Sequence, residues 1–252
     1  MKHGLTGYIP VRNGLSLDYC WIEAARSLLP VVDELILCDS DSTDGTREAM
    51  EALSVVEGKI RVMNRPWPDP HKDGQFLPKW LNFIRESAQF DMQITLDADE
   101  LIGVESHALI RAAVEEGGCR YFDRWNFWRD AQHTIPRGYI CGWRVARLAP
   151  TALWMVSDEP DPRDMEVHSR AKWVEGLNVY HDGFLRRPAA FFAKSKVMHE
   201  AVLGTYDPRL TEAEATGAPW WSLIHGDLKL DEFKGEHPAA IHEWLRARGY
   251  EP

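Results

Sequence analysis

Along the first hundred or so residues, short apolar runs bounded by turn residues alternate with stretches whose apolar positions recur at helical spacing. Leu5 to Val11 is a β-branched and aromatic run closed by Asn13-Gly14, the pattern of a strand and turn. From Ser16, the positions Leu17, Trp21, Ala24, Ala25 and Leu28 share one helical face, with Ser16 placed as N-cap and Pro30 just past the end. Glu34 to Cys38 is apolar and too short for a helix, so it predicts a buried strand. A second helix is expected from about Thr46, with Ala49, Met50 and Leu53 facing inward. Lys59 to Arg65 predicts a third strand. Beyond the Pro-rich stretch PWPDPHKDG, Leu77, Leu81, Ile84 and Ala88 repeat at helical spacing. Met92 to Leu96 then alternates as a fourth strand running into DADE.

This alternation predicts an α/β fold, a mixed and mostly parallel central sheet with helices on both faces. In such sheets ligands gather at the carboxyl ends of the strands. Both acidic clusters lie there, DSDSTDG after the second strand and DADE after the fourth. After Gly118 the chain turns to aromatic, β-prone pieces such as CRYFDRWNFW and GYICGWRVARL, joined by Pro- and Asp-rich loops, and these predict further strands of the same domain. A helical segment is expected from about Pro188 to Val202, followed by a polar, helix-leaning C-terminal segment.

Composition narrows the function. The chain has 252 residues with 44% hydrophobic and 27% charged positions, as soluble globular proteins do. Its beginning lacks the apolar core of a signal peptide, and no stretch approaches a membrane span, so a cytoplasmic protein is expected. Cys20, Cys38, Cys119 and Cys141 show no CxxC pairing and read as free thiols. A formal net charge of −10 opposes binding to nucleic acid, although Arg120, Arg124 and Arg129, or Arg144 and Arg147, form local basic clusters. The 11 tryptophans are expected mainly in the core, with stacking on sugar rings as the functional reading.

The run CDSDSTDGT raises the question of a calcium loop. The frame that places Gly45 sixth and Glu51 twelfth has Ser40 where the first aspartate should be, and a strand precedes it where a helix is needed. A polar turn capping the next helix accounts for Ser42 to Thr46. It does not account for Asp39, at the end of a buried strand, where a carboxylate has a use if it accepts hydrogen bonds from a ligand such as the N–H of a uracil ring.

DELILCDSDSTDGT resembles the strand and turn of family 2 glycosyltransferases, ITLDADE resembles their DxD motif, and VYHDGFLRRP resembles a His-x-Gly-x-x-Arg segment found late in many members. The resemblance implies a GT-A (Rossmann-like) fold. Residues 1–105 would be its nucleotide-sugar-binding half, 106–200 its acceptor-binding half and 201–252 a C-terminal helical appendage. It further implies an inverting transferase that moves a sugar from a nucleotide-diphosphate donor, UDP by the family's habit, to a hydroxyl acceptor.

In that scheme Mn²⁺ or Mg²⁺ offsets the charge of the diphosphate leaving group. Asp99 is the first candidate ligand and Asp97 a second, with Asp97 also placed to hold ribose hydroxyls. His181 is the third ligand by resemblance, although Asp182 follows it where the family often has an aromatic residue, which leaves open which of the two points into the site. Pro10, Arg12 and Asp39 flank the nucleobase, and Lys79, Arg186 and Arg187 are candidates for the diphosphate. Inversion needs a carboxylate base, for which the loop SDEPDPRD offers Asp158 or Glu159, with Glu175 as a rival. The acceptor is a glycan, a lipid-linked carrier, a protein or a hydroxylated DNA base. The alternatives are a non-catalytic carbohydrate-binding protein on the same scaffold and a sugar nucleotidyltransferase, for which GYIPVRNG has too few glycines.

Overall fold

A computed structural model describes residues 1–66, 83–137, 139, 144–154, 170–203, 207–217 and 228–252. The first half alternates as expected: β1 (Lys2–Val11), α1 (Trp21–Leu28), β2 (Glu34–Asp39), α2 (Thr46–Val56), β3 (Ile60–Asn64) and β4 (Phe90–Thr95). Next come β5 (Glu100–Ile102), α3 (His107–Glu116), β6 (Arg120–Trp128), β7 (Asp130–Thr134), β8 (Arg144–Pro150), the single turn α4 (Thr151–Trp154) and β9 (Lys172–His181). The chain ends through α5 (Pro188–Leu203), α6 (Pro208–Thr216), β10 (Asp231–Glu232) and α7 (His242–Arg246).

The main path of the sheet runs β3-β2-β1-β4-β8-β6-β7-β10. From β3 to β4 the pairing is parallel, and beyond β4 it is antiparallel. Every residue of β2 is buried, which is why its sequence reads as a continuous apolar run rather than an alternation. Leu5, Ile9, Leu35, Leu37 and Ile94 pack with Ala24, Ala25 and Leu28 of α1 in the main core. Tyr8, Ile36 and Cys38 point to the opposite face, where Ile84 covers them. Residues 83–86 are helical, the described end of the expected helix over Leu77 to Ala88; Leu77 and Leu81 lie outside the described residues.

One boundary differs from its expectation. Helix α1 begins at Trp21, not after Ser16, because residues 13–19 form a turn held by the Leu17 amide on the Asn13 carbonyl, 2.9 Å, with Asn13 and Asp18 at φ of 51° and 55°. Ser16 gives its amide to Asp44 instead of capping the helix.

Strand β9 leaves the main path, pairing antiparallel with β5 and parallel with β6. Its register sets His181 opposite both Glu100 and Asn126. That places the end of β9 beside the turn that follows β4. The C-terminal segment completes a second core, in which Ile241, Trp244 and Leu245 pack with Cys20, Leu101, Phe127 and Leu185, while β10 extends the sheet beyond β7. Cys20, Cys38 and Cys119 are buried free thiols, and Cys141 lies outside the described residues. Trp21, Trp128 and Trp244 are buried, as expected of core aromatics, while Trp173 is exposed. Among the described residues no helix is long and apolar enough to cross a membrane.

Candidate active site

The carboxyl ends of β1 and β2 lie side by side, Pro10 opposite Cys38 and Val11 opposite Asp39. The two loops that leave them are stitched together. Asn13 donates its amide to Ser42 Oγ (2.8 Å) and accepts the Thr43 amide on its side chain (2.9 Å), while Leu15 and Ser16 donate amides to Thr46 Oγ1 and Asp44 Oδ2. Burial raises the Asp44 carboxyl, but these amides and the Thr46 hydroxyl outweigh it and hold it below the usual carboxylate range. Gly45, at φ 89°, takes the left-handed turn into α2. Asp39 is buried and accepts the Ser42 amide on both oxygens at 3.3 Å, long bonds that leave it acceptor capacity. Next to it the Ser40 hydroxyl is buried with no hydrogen-bond partner among the described residues.

Two residues apart on the turn after β4, the carboxylates of Asp97 and Asp99 face different company. Asp97 keeps 49% of its side chain exposed, and its Oδ2 accepts from Arg147 at 2.9 Å with Arg124 at 3.7 Å. Both guanidinium groups are anchored by Glu100, which is fully buried, at 2.5 Å from Arg147 and 2.8 Å from Arg124, and which accepts the Asp97 amide at 2.9 Å. Burial pushes the Glu100 carboxyl up, and Arg147 and Arg124 oppose that rise.

Asp99 is 5% exposed at its side chain, and its Oδ2 accepts from Arg186 at 2.6 Å and Lys194 at 2.9 Å. On its other side, Oδ1 lies 3.6 Å from His181 Nε2. Burial alone would raise this carboxyl, but the charges around it, Lys194 first and Arg186 with it, hold it well below the usual range. Burial lowers the His181 imidazole, reinforced by Arg124, so the ring is neutral near pH 7. Arg186 is immobilised: Nε donates to the Gly183 carbonyl (2.5 Å), one terminal nitrogen to the Leu17 carbonyl (2.8 Å), and the Tyr19 ring lies 4.4 Å beneath it. Gly183 is the residue that allows this closeness. A Cβ there would lie 2.5 Å from Asp99 Oδ2 and 2.7 Å from His181 Nε2.

The donor set of Asp99 and His181, one carboxylate and one imidazole, fits a divalent transition ion such as Mn²⁺. An ionised carboxylate and a neutral imidazole 3.6 Å apart come close to the ~3 Å that separates neighbouring ligands of an octahedral ion, and Mg²⁺-type ions take their remaining ligands from water and substrate phosphates. The three-ligand set of Asp97, Asp99 and His181 is not preassembled, however. Among the described residues no group of three His, Cys, Asp or Glu side chains is arranged to hold a metal. Arg147 and Arg124 draw Asp97 toward Glu100 and away from that role.

Of the two candidates before Gly183, His181 faces Asp99 whereas its neighbour Asp182 lies toward His237. It is buried, with Oδ1 3.8 Å from His237 Nδ1, and burial raises its carboxyl well above the usual range. Arg186 reaches the site, whereas Arg187 binds Asp18 through both its amide (2.9 Å) and its guanidinium (3.0 Å). Arg248 from the C-terminus grips the same carboxylate. Pro10 and Asp39 stand at the strand ends where the sequence places them, and Arg12 follows directly. Lys79, Asp158 and Glu159 lie outside the described residues. Sequence reasoning missed Lys194, which has no motif and reaches Asp99 only because α5 folds back over the turn. It also missed the site roles of Arg124 and Arg147, whose signal was an arginine inside an apolar strand, as in VARLA.

No protein-family model matches the chain, and no curated protein matches it. Solved structures do. The crystal structure of S. aureus TarS is 15% identical with a TM-score of 0.51, covering 86% of this chain and 43% of that one. The structure of TarS residues 1–349 in complex with UDP is 16% identical with a TM-score of 0.50, covering 81% of this chain and 66% of that one. The shared architecture is a GT-A-like, Rossmann-type mixed α/β fold.

Proposed function

We propose that this chain is a glycosyltransferase that moves a sugar, with inversion, from a nucleotide-diphosphate sugar to a hydroxyl acceptor. The observation that carries this reading is the buried, ionised Asp99 with a neutral imidazole on one oxygen and two cations on the other, at the carboxyl edge of a GT-A-like sheet. A carboxylate so strongly perturbed by burial and specific charge partners at the edge of the sheet marks a functional site.

Asp39 and the stitched loops after β1 and β2, with Pro10 and Arg12, form the seat of the nucleobase and ribose. Uridine is favoured because one neighbour of the same fold binds UDP. Asp99 and His181 would hold Mn²⁺ or Mg²⁺, with Asp97 on its open side contributing through water or to the ribose. When bound, the ion stabilises the charge that grows on the diphosphate as the glycosidic bond breaks. Lys194 supplies a movable positive charge to the same oxygens, with the fixed charge of Arg186 behind Asp99. The acceptor oxygen forms its bond to the anomeric carbon as the carbon–phosphate oxygen bond breaks, and the acceptor proton passes to Asp158 or Glu159. The acceptor side would be built from residues 106–200.

Thermal unfolding of the protein with UDP, GDP, CMP or ADP, each with Mn²⁺ or with EDTA, tests this reading. Ligand at a hundred times its dissociation constant adds about 2.7 kcal/mol of apparent stability. The expected result is a melting shift with one nucleoside diphosphate, UDP first, that is lost in EDTA. No shift with any nucleotide would overturn it and favour the non-catalytic sugar-binding alternative.

A further inference from the structure

We infer that Lys194 is an exchangeable counter-cation: it occupies Asp99 when no donor is bound, weakens ion binding in that state, and passes to the diphosphate when the donor arrives with its ion. This rests on the donor and ion reading above and goes beyond it by assigning the coupling to one side chain.

The two cations on Asp99 Oδ2 are not equivalent. Arg186 is fully buried and tied by separate nitrogens to Gly183, Leu17 and Asp99, so it cannot leave without stranding several buried groups. Lys194 is 28% exposed, bonds Asp99 through a single point charge on a flexible stem, and has the Tyr19 ring 5.0 Å away as a second resting place. Around this one carboxylate, then, stand two positive side chains, while Asp182, the residue after His181, lies 3.8 Å from His237. A divalent ion approaching Asp99 Oδ1 and His181 meets both positive charges across the width of a carboxylate. The diphosphate brings the negative charge that makes the set balance, and of the two cations only Lys194 is free in its stem to follow it. Nucleotide and ion thereby bind as a coupled pair, with Lys194 setting much of the coupling.

The test measures Mn²⁺ binding by the paramagnetic resonance of the free ion, with and without UDP, in the intact protein and in Lys194→Met, Lys194→Arg and Lys196→Met. Lys196 lies on the same helix, exposed and paired with Glu214, and serves as control. In the intact protein UDP should tighten Mn²⁺ binding by about tenfold or more, the range of a typical coupling free energy. Lys194→Met should tighten Mn²⁺ binding without nucleotide, weaken UDP binding, and so shrink the coupling. Lys194→Arg and Lys196→Met should keep it. Partial exposure makes Lys194→Met a mild change for folding, which its melting temperature checks. Equal coupling in the intact protein and Lys194→Met, or Mn²⁺ bound as tightly without UDP as with it, overturns the inference while leaving the donor reading intact. Failure of UDP, GDP, CMP and ADP alike to bind under any condition overturns the donor reading, and the inference with it.

Discussion

Asp97 and Asp99 are the same residue type, two positions apart on one turn, and the molecule uses them differently. Asp97 is half exposed and shares two arginines of β6 and β8 with the buried Glu100, all within the sheet. Asp99 is buried and draws its partners from the end of β9, through His181, and from the chain after it, through Arg186 and Lys194. One carboxylate is positioned by strands and left open to ligand; the other is enclosed by a segment some ninety residues away. Burial raises the stake of every partner, because an unpaired charge costs far more out of water than in it.

The strongest way to break this contrast is Asp99→Asn. It leaves Arg186 buried against a neutral amide, and loss of one partner of a buried pair costs about 3–5 kcal/mol. Transfer should fall about 100-fold or more if the ion loses its carboxylate. Unchanged urea midpoint and activity would show that Asp99 is neither buried nor used as described.

Glu100→Gln sharpens the other side. It removes the shared anchor of Arg147 and Arg124, so stability should drop by a similar few kcal/mol. Donor binding should weaken less than in Asp99→Asn, since Asp97 itself remains. A fall in donor affinity larger than that of Asp99→Asn would mean that the two carboxylates have exchanged roles.

The pH dependence of stability comes next in size. Burial lowers the folded pKa of His181 and of His237 below 6.5. Below that pH the unfolded chain binds protons that the buried rings refuse, so stability falls as pH drops from 6.5 toward the folded values and is recovered above 6.5. His237→Gln, away from the Asp99 cluster, should flatten part of that slope in denaturant titrations at pH 5 to 7. An unchanged slope would remove His237 from this role.

Asp97→Asn should have the smallest effect on folding. A half-exposed ion pair is worth roughly 0–1 kcal/mol after solvent screening, and Glu100 still holds the arginines. Its effect should appear in donor affinity with a nearly unchanged melting temperature. A large melting loss would erase the difference between the two aspartates.

Much of the fold was legible in the chain. The strands β1 to β4 read directly because a buried parallel strand has one requirement, a short apolar run, and a helix packed on it has one period. Asp39 and the DADE turn stood out because polar residues directly after such runs must sit at the sheet edge. Helix α1 was read four residues too early because Leu17 fits the helical period, while the turn that overrides it depends on Asp44, nearly thirty residues away. The antiparallel half was legible as β-prone pieces only, since pairing and register there are set by contacts the local pattern does not contain.

By itself the amino-acid sequence determined the alternation of strands and helices, and it determined that two acidic turns end two parallel strands, because both follow from local periodicity. Only the tertiary structure decided which cations those carboxylates meet. The register of β9 against β5 and β6 brings His181 to Asp99, and the return of α5 brings Lys194. Such contacts join residues up to 95 positions apart, and long charged side chains choose partners by reach and burial, which no local pattern encodes.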